Sequence, residues 1–406
     1  MGNNIPHGYK ATALGIIPQE WEVKKLGEVG KLLSGLTYTP SNIQSDGILV
    51  LRSSNIQNGV LAFDDNVYVN VSSYTPVKAG DILICVRNGS QNLIGKTALI
   101  THEAEGCAFG AFMAVFRSPI SKYVFYLLGT ELYRKYIFRN LGATINSING
   151  SDLKKFRFPF PSLAEQRKIA EVLGVWYEAI EKQARLIEKL ALRKRALMQR
   201  LLSAKLRLPG FSSPWQKVNY SDILKEVRRT LIWDENELYD LISVRRRSGG
   251  VFHRESLYGH EIKTKTLRPA LEGDFLISKM QIVHGASGVV PQQLSGMKIS
   301  GSYIALIAKD PKELNINYFN LWSQMPLFYH QTFVSSYGVH IEKMTFDLDA
   351  FMSLSMNLPP IEEQNRIVEV ISTATDEIEL AKEKLERLRR QKRGLMQQLL
   401  TGKKRI

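Results

Sequence analysis

The chain contains one long segment twice, at a constant separation of 198 residues. The first copy begins FPSLAEQRKIAEVL at residues 160–173, and the second begins LPPIEEQNRIVEVI at residues 358–371. The separation holds without a gap to the last residue, so that KRALMQRLL in the first copy recurs as KRGLMQQLL in the second. A chain of 406 residues has room for two or three domains, and this repeat predicts two related halves.

Both copies have the apolar spacing of a long amphipathic helix, with an apolar side chain every three or four residues. These seam positions are Ile169, Leu173, Trp176, Ile180, Ile187, Leu190, Leu197 and Leu201 in the first copy and Ile367, Ile371, Ala374, Ile378, Leu385, Leu388, Leu395 and Leu399 in the second. Ser162 and Glu165 match a capping box at the first start. Some forty residues make a rod of roughly 60 Å, so we expect the helices to pair with each other rather than to serve as two separate core helices.

The segments before the helices correspond more loosely. IPQEWEVKKLGEV at residues 17–29 is similar to SSPWQKVNYSDIL at residues 212–224, which matches Trp21 to Trp215. Short β-like runs separated by Gly, Asn, Asp and Pro follow in each segment, with one helical stretch late in each. Those two stretches are residues 121–138 and 315–333. The patterns predict two α+β domains of related fold that differ in their loops, where function usually lies.

The charge of the chain favours an anionic partner. The net charge is +15, and the two repeats hold much of it: residues 161–208 have 11 Lys and Arg against 5 Asp and Glu, and residues 359–406 have 11 against 8. Nucleic acid is favoured over a membrane because no basic amphipathic anchor or lipidation motif is present. Without an apolar run of eighteen residues or a signal-peptide layout, we expect a cytoplasmic protein.

Catalytic motifs are weak throughout the sequence. GSQNLIGKT at residues 89–97 approaches a phosphate loop, but five residues separate Gly89 from Gly95 where that loop needs four, and no helical pattern follows Lys96. The seven histidines are scattered without the spacing of metal ligands. The sequence therefore predicts a binding protein, with no catalytic residues and no cofactor or metal site of its own.

The duplicated P-x-L/I-x-E-Q-x-x-I helix start and the L-M-Q-x-L-L close resemble those of the specificity subunit of type I restriction-modification systems. The P-x-x-W-E-x-x-x-L-G opening at residues 18–27 and the G-D-I/F-L element, with Gly80 and Asp81 matched to Gly273 and Asp274, extend the resemblance over the whole chain. It implies an α+β fold with two related target recognition domains separated by two long helices that form an antiparallel coiled coil. The implied boundaries are residues 1–160 and 209–358 for the domains and residues 161–208 and 359–406 for the conserved spacer helices.

The resemblance also implies a function. Each domain would read one half of a split double-stranded DNA target with a non-specific spacer. The chain would direct two modification (methyltransferase) subunits, which use S-adenosylmethionine, and restriction (translocase and nuclease) subunits, which use ATP and Mg. Two other classes of function stay open: a fused nuclease or methyltransferase, and a coiled-coil scaffold or nucleic-acid binder outside a restriction system.

Polar loop residues are the candidates for DNA contacts. Arginine suits guanine O6 and N7, and Asn or Gln suits adenine N6 and N7, while phosphate contacts supply much of the affinity. The candidates in the first domain are Arg52, Ser54, Asn55, Arg87, Asn88, Gln91, Asn92 and Lys96, and those in the second are Arg245, Arg246, Arg247, Lys279, Gln281 and His284.

Overall fold

A computed structural model describes residues 5–141 and 146–406 and divides the chain into two compact units. Unit 1 comprises the chain up to Ala184 together with Glu383–Ile406, and unit 2 is Arg185–Lys382. Each unit therefore contains one of the predicted α+β domains and a part of both long helices. The division falls inside the helices, whereas the predicted boundaries fall at their ends.

Unit 1 is built from short strands and helices. Its strands are β1 (Tyr9–Thr12), β2 (Gly15–Pro18), β3 (Glu22–Lys25), β4 (Lys31–Ser34), β5 (Ile43–Gln44), β6 (Ile48–Leu51), β7 (Ile56–Gln57), β8 (Val60–Leu61), β9 (Tyr68–Val69), β10 (Ile82–Cys85), β11 (Thr97–Leu99), β12 (Ala108–Phe109), β13 (Met113–Arg117) and β14 (Arg157–Phe160). Its helices are α1 (Leu26–Val29), α2 (Ser121–Leu127), α3 (Glu131–Asn140), α4 (Gly150–Lys155) and the first part of α5 (Leu163–Leu202).

Unit 2 is likewise built from short strands and helices. Its strands are β15 (Gln216–Asn219), β16 (Leu224–Glu226), β17 (Leu238–Val244), β18 (Val251–Tyr258), β19 (Arg268–Pro269), β20 (Phe275–Ser278), β21 (Ser287–Val289), β22 (Lys298–Ile299), β23 (Tyr303–Ala308), β24 (Ser336–Tyr337), β25 (Thr345–Phe346) and β26 (Ser355–Leu358). Its helices are α6 (Tyr220–Ile223), α7 (Ile316–Trp322), α8 (Pro326–Val334), α9 (Leu348–Met352) and the first part of α10 (Ile361–Leu399).

The two units share a sheet plan, which confirms the predicted pair of related α+β domains. The main sheet is antiparallel with strand order β11-β10-β13-β4 in unit 1 and β21-β20-β23-β16 in unit 2. A second sheet contains one parallel pair, β6 with β12 or β17 with β22. A two-stranded sheet, β3 with β14 or β15 with β26, joins the opening of each domain to the strand before its long helix.

The shared G-D element forms the turn that starts the central strand of each main sheet. Gly80 and Gly273 have φ of 86° and 82°, a left-handed conformation that glycine adopts without steric cost. The next residue, Asp81 or Asp274, is buried and accepts a backbone hydrogen bond from the residue three positions earlier. An arginine neutralises each carboxylate, Arg117 at 2.7 Å in unit 1 and Arg229 at 2.9 Å in unit 2.

Each late helical stretch is two short helices rather than one. In unit 1 the chain turns at Gly129, and the hydroxyl of Thr130 caps α3 by accepting from the Tyr133 backbone. In unit 2 a proline, Pro326, occupies the first position of α8 and cannot extend the hydrogen bonding of the preceding helix. The breaks let two helices lie over each main sheet, where Tyr123 and Phe328 are fully buried or nearly so.

The long helices run antiparallel, as each unit shows by itself. In unit 1 the Lys392 ammonium lies 4.6 Å from the ring centroid of Tyr177, and apolar residues near the start of α5 form one core with Leu399. In unit 2 Arg193 pairs with Glu377, and Leu190 clusters with Ile378. All sixteen predicted seam positions are buried or half-buried, which confirms the seam. No helix in the described ranges has both the length and the apolar composition needed to cross a membrane.

The repeated E-Q pair fixes the start of each long helix. Gln166 donates to the carbonyl of Pro161 at 2.8 Å, and its counterpart Gln364 donates to that of Pro359 at 2.9 Å. Only half of the predicted capping box forms: Ser162 accepts from the Glu165 backbone at 3.3 Å, but the Glu165 side chain does not return to it. That carboxylate instead accepts a hydrogen bond from the indole of Trp21.

Candidate nucleic-acid interface

Two predicted loops of unit 1 lie side by side. The amide of Asn88, after β10, donates to the hydroxyl of Ser53, after β6, at 2.9 Å across 35 residues of sequence. The Asn88 side chain also accepts from the backbone of Ser90, which shapes the second loop as an Asx turn. The structure therefore brings the group at residues 52–55 and the group at residues 87–92 to one place.

Arg52 and Ser54 lie on the inner side of the cluster that these two loops form. The Arg52 guanidinium is half-buried and pairs with Asp65 at 2.8 Å. Its Nε and the hydroxyl of Ser54 are shielded from solvent and have no hydrogen-bond partner within the described residues. Unpaired buried polar atoms are rare in folded proteins, so these two atoms distinguish the loop cluster, but in this conformation they are as inaccessible to a ligand as to solvent.

Asn55 is the first-domain candidate whose whole side chain is buried. Its side chain is fully buried, and its amide is used inside the loop: Oδ1 accepts from the Arg52 backbone and Nδ2 donates to the carbonyl of Ala62, both at 2.9 Å. A side chain in this position cannot reach a base edge. Asn55 therefore shapes the loop that carries Arg52 and Ser54, and the prediction of a direct contact is wrong for this conformation.

The outer part of the cluster is open to solvent. Arg87, Gln91, Asn92 and Lys96 are all exposed. Arg87 lies over the ring of Phe112, with its guanidinium carbon 5.6 Å from the ring centroid, which limits the orientations of the side chain. Lys96 is followed by strand β11, not by a helix, which agrees with the rejection of a phosphate loop at residues 89–97.

In unit 2 the three consecutive arginines form the turn between β17 and β18. Arg247 and Ser248 have φ of 58° and 54°, an uncommon conformation for residues with a side chain. Their backbone amides donate to the carbonyls of His284 and Gly285 at 2.7 and 2.8 Å, which holds the turn in place. The three arginine side chains are exposed, and that of Arg245 lies 3.9 Å from the ring centroid of Phe252.

Arg246 connects the turn to two other predicted residues. Its Nε donates to Oε1 of Gln281 at 2.6 Å, and its Nη2 lies 2.9 Å from Oε2 of Glu342. Nε2 of His284 lies 3.2 Å from the other oxygen of Glu342. The structure thus brings three of the candidates, Arg246, Gln281 and His284, together, and Glu342 is the member that sequence reasoning missed. Nothing local marks Glu342, because it lies 96 residues after Arg246.

Lys279 belongs to a neighbouring basic cleft. The cleft has a volume of about 430 Å³, and Arg228, Arg229 and Arg268 line it together with Lys279. Arg229 is neutralised by the buried Asp274, and Arg268 lies 3.9 Å from Glu226. This cluster is not among the predicted site residues, although the arginine doublet at residues 228–229 is a local signal for it.

The polar groups at these two places are donors of hydrogen bonds and positive charge. Among residues 5–141 and 146–406, no group of three or more His, Cys, Asp and Glu side chains is placed to hold a metal ion. Burial raises the pKa of the Cys85 thiol to about 11, so this buried cysteine is a poor nucleophile at neutral pH. The arrangement can donate hydrogen bonds and positive charge to an anionic surface.

The sequence matches one protein family in both halves. Residues 18–191 and residues 213–390 each match the family described as type I restriction modification DNA specificity domain. The chain is 29% identical over 243 residues to the type I restriction enzyme EcoKI specificity subunit of Escherichia coli strain K12, an alignment that covers 55% of this chain and 52% of that protein. It is 30% identical over 203 residues to the StySPI specificity subunit of Salmonella potsdam, covering 47% of this chain and 43% of that protein.

A longer alignment exists with a Methanocaldococcus jannaschii protein, the candidate type I restriction enzyme MjaX specificity subunit. It is 26% identical over 435 aligned positions and covers 98% of this chain and 97% of that protein. Among solved structures, the crystal structure of the type I restriction-modification S subunit from M. genitalium matches with a TM-score of 0.57 and 15% identity, covering 98% of this chain and 97% of that one. A chain from a structural study of assembly of the type I R-M system matches with the same TM-score and 17% identity, covering 95% and 99%.

Proposed function

Because the chain belongs to the family of type I restriction modification DNA specificity domains, we propose that it is the DNA-reading subunit of such a system. It binds a bipartite double-stranded target, and each domain reads one half. One observation carries this proposal: the two units share their sheets, helix starts and buried Asp turns, while their exposed polar clusters differ. A shared frame with different loops suits two half-sites of unrelated sequence.

The clusters have the chemistry that duplex DNA requires. Exposed arginines and Lys96 supply positive charge for phosphates, while Gln91, Asn92 and the fork of Arg246 supply directional hydrogen bonds for base edges. The chain itself performs no chemistry in this proposal. Methyl transfer from S-adenosylmethionine belongs to two modification subunits, and ATP- and Mg-dependent translocation and cleavage belong to restriction subunits, all in the cytoplasm.

A domain exchange tests the independent reading of two half-sites. Residues 40–150 are replaced by the corresponding region of a relative, which leaves Trp21 and Glu165 in place. Methylated motifs are then sequenced in cells that carry the exchanged chain and its modification and restriction subunits. We expect one half of the motif to change while the other half stays the same. A change in both halves contradicts independent reading, and a chain that prefers no DNA over a random pool, alone or with modification subunits, supports the coiled-coil scaffold instead.

Exposed apolar side chains on the long helices are the proposed docking points for the modification subunits. In unit 2, Leu192 and Leu380 have 61% and 65% of their surface exposed, so each has apolar surface that a partner can bury. Leu206, which follows the first long helix, is by contrast half-buried against the core of unit 2. The double variant Leu192→Glu and Leu380→Glu should lose the stable complex with two modification subunits. The variant Leu206→Glu should unfold unit 2 instead, and an intact complex in the double variant would exclude this surface.

A further inference from the structure

The hydrogen bonds of Arg246 leave one edge of its guanidinium free. Nε is used by Gln281, and one hydrogen of Nη2 is directed to Glu342. An arginine has five N–H groups, so both hydrogens of Nη1 and the second hydrogen of Nη2 remain. Nη1 and Nη2 form the end of the fork, the pair of donors that matches O6 and N7 of a guanine.

The environment of Arg246 also reduces its attraction to phosphate. The carboxylate of Glu342 neutralises the guanidinium at 2.9 Å, and the side chains of the two residues are 50% and 58% exposed. A neutralised arginine keeps directional donors but adds little to the charge-driven binding that is common to all DNA sequences. Its neighbour Arg247 differs, since its side chain has no hydrogen bond, ion pair or ring contact to any residue that the structure describes.

We propose that Arg246, oriented by Gln281 and Glu342, is the residue of the second domain that reads a guanine, and that Arg247 beside it contacts phosphate. Glu342 and Gln281 are positioning residues: they fix the plane of the fork before DNA arrives, so that the rotamers need not be ordered on binding. This inference rests on the proposed function and adds to it a base, a reading residue and the division of labour within the arginine turn.

The experiment selects duplexes from a random pool with the full chain and sequences those that are retained. The wild-type chain defines the motif and its second half. Arg246→Ala and Arg246→Lys should both lose the preference for guanine at one position only, since lysine keeps the charge but lacks the planar fork. The discrimination lost at that position should be roughly ten- to a hundredfold, as for one bidentate contact.

Two matched variants separate the recognition of a base from the electrostatic attraction to phosphates. Arg247→Ala should keep the whole motif and weaken the binding of every duplex alike, with a shallower dependence on salt. Glu342→Gln should bind random duplexes more tightly and blur the same single guanine position. Glu272→Gln makes the same charge change three residues before β20, whereas Gln281 lies after that strand, and it should leave the motif unchanged.

Each outcome decides between the possibilities. If the Arg246→Ala chain selects a motif identical to that of the wild type at every position, the inference is wrong and the proposed function still stands. A lost position that is not a G·C pair overturns it as well. If the wild-type chain enriches no motif, either alone or together with its modification subunits, the proposed function itself is wrong.

Discussion

Arg405 donates two hydrogen bonds to Glu165, 240 residues earlier in the sequence, at 2.6 Å from Nε to Oε1 and 3.0 Å from Nη2 to Oε2. The same arrangement exists in unit 2, where Arg207 donates to Glu363 at 2.7 and 2.8 Å. A tryptophan indole donates one further hydrogen bond to each carboxylate, from Trp21 in unit 1 and from Trp215 in unit 2. Glu165 and Glu363 are both buried, so each needs its arginine to offset the loss of hydration.

Removal of Arg405 should therefore destabilise unit 1. Arg405→Ala leaves the Glu165 carboxylate with the Trp21 indole and no cation, and we expect a loss of about 1 to 3 kcal/mol in the free energy of unfolding. The loss is smaller than for a fully buried pair because the Arg405 side chain is 42% exposed and therefore partly screened by solvent. Denaturant unfolding of the variant measures it, with Lys403→Ala as the control at an exposed neighbour. Equal stability of the two variants would contradict a stabilising role for the ion pair between Arg405 and Glu165.

The two equivalent positions that follow the long helices should both favour glycine over alanine. Gly402 has φ of 70°, and a Cβ built on it would lie 2.3 Å from Cδ of Pro18. Gly402→Ala should cost at least about 2 kcal/mol through strain and this contact. Ala204, its counterpart in the other repeat, has φ of 56°, so Ala204→Gly should stabilise unit 2 by roughly 0.5 to 1 kcal/mol.

Thermal unfolding of both variants checks this pair. Gly394→Ala serves as the control, because Gly394 lies within α10 and a Cβ there would meet nothing within 4 Å. This substitution should stabilise the helix by roughly 0.5 to 1 kcal/mol. A stabilising Gly402→Ala would show that Pro18 and the end of α10 do not approach as closely as described.

Lys392 should make the stability of unit 1 depend on alkaline pH. Burial lowers its pKa to about 8 from the ordinary 10.5, and its ammonium lies over the rings of Tyr126 and Tyr177. Below pH 8 the folded and unfolded chains both carry the charge, and the cost of burying it is fully present. Between pH 8 and 10.5 only the unfolded chain binds the proton, so stability should rise with pH across that window.

The variant Lys392→Met isolates this effect. Below pH 8 it should be more stable than the wild type by roughly 1 to 2 kcal/mol, since the ring contacts offset part of the desolvation. The difference should shrink as pH rises to 10.5. Lys384→Met, at an exposed position of the same helix, should show no such trend. A difference that is constant from pH 7 to pH 10 would mean that Lys392 titrates normally.

Asn55 and Gln91 should separate stability from DNA binding in unit 1. Asn55→Ala removes the buried hydrogen bonds that shape the loop and should lower the free energy of unfolding by about 1 to 3 kcal/mol. Gln91→Ala changes an exposed side chain, so it should leave stability within about 0.5 kcal/mol and act only on DNA affinity. Unfolding and DNA titration of both variants measure the two effects. If Asn55→Ala is as stable as the wild type, Asn55 does not shape the loop and is again a candidate for a direct DNA contact.

The sequence predicted the long helices, their seam and the two related domains because these features are periodic or repeated. It could not separate Asn55 from Asn88, since both are polar residues in loops and only the tertiary fold buries the first. Contacts such as Arg246 with Glu342 join residues far apart in the chain and have no local pattern. Glu165 shows the same limit: its helix-start position was recognised, but its partners Trp21 and Arg405 depend on chain segments at both ends of unit 1.

The division of the chain within its helices has a consequence for synthesis. Residues 185–382 are continuous, so all of unit 2 has been translated before residue 383 is added. Unit 1 is interrupted, and the groups that complete it, Lys392 over its tyrosines and Arg405 on Glu165, are made some two hundred residues after the rest. The domain translated first is therefore the domain completed last, and until then its buried Glu165 lacks its cation.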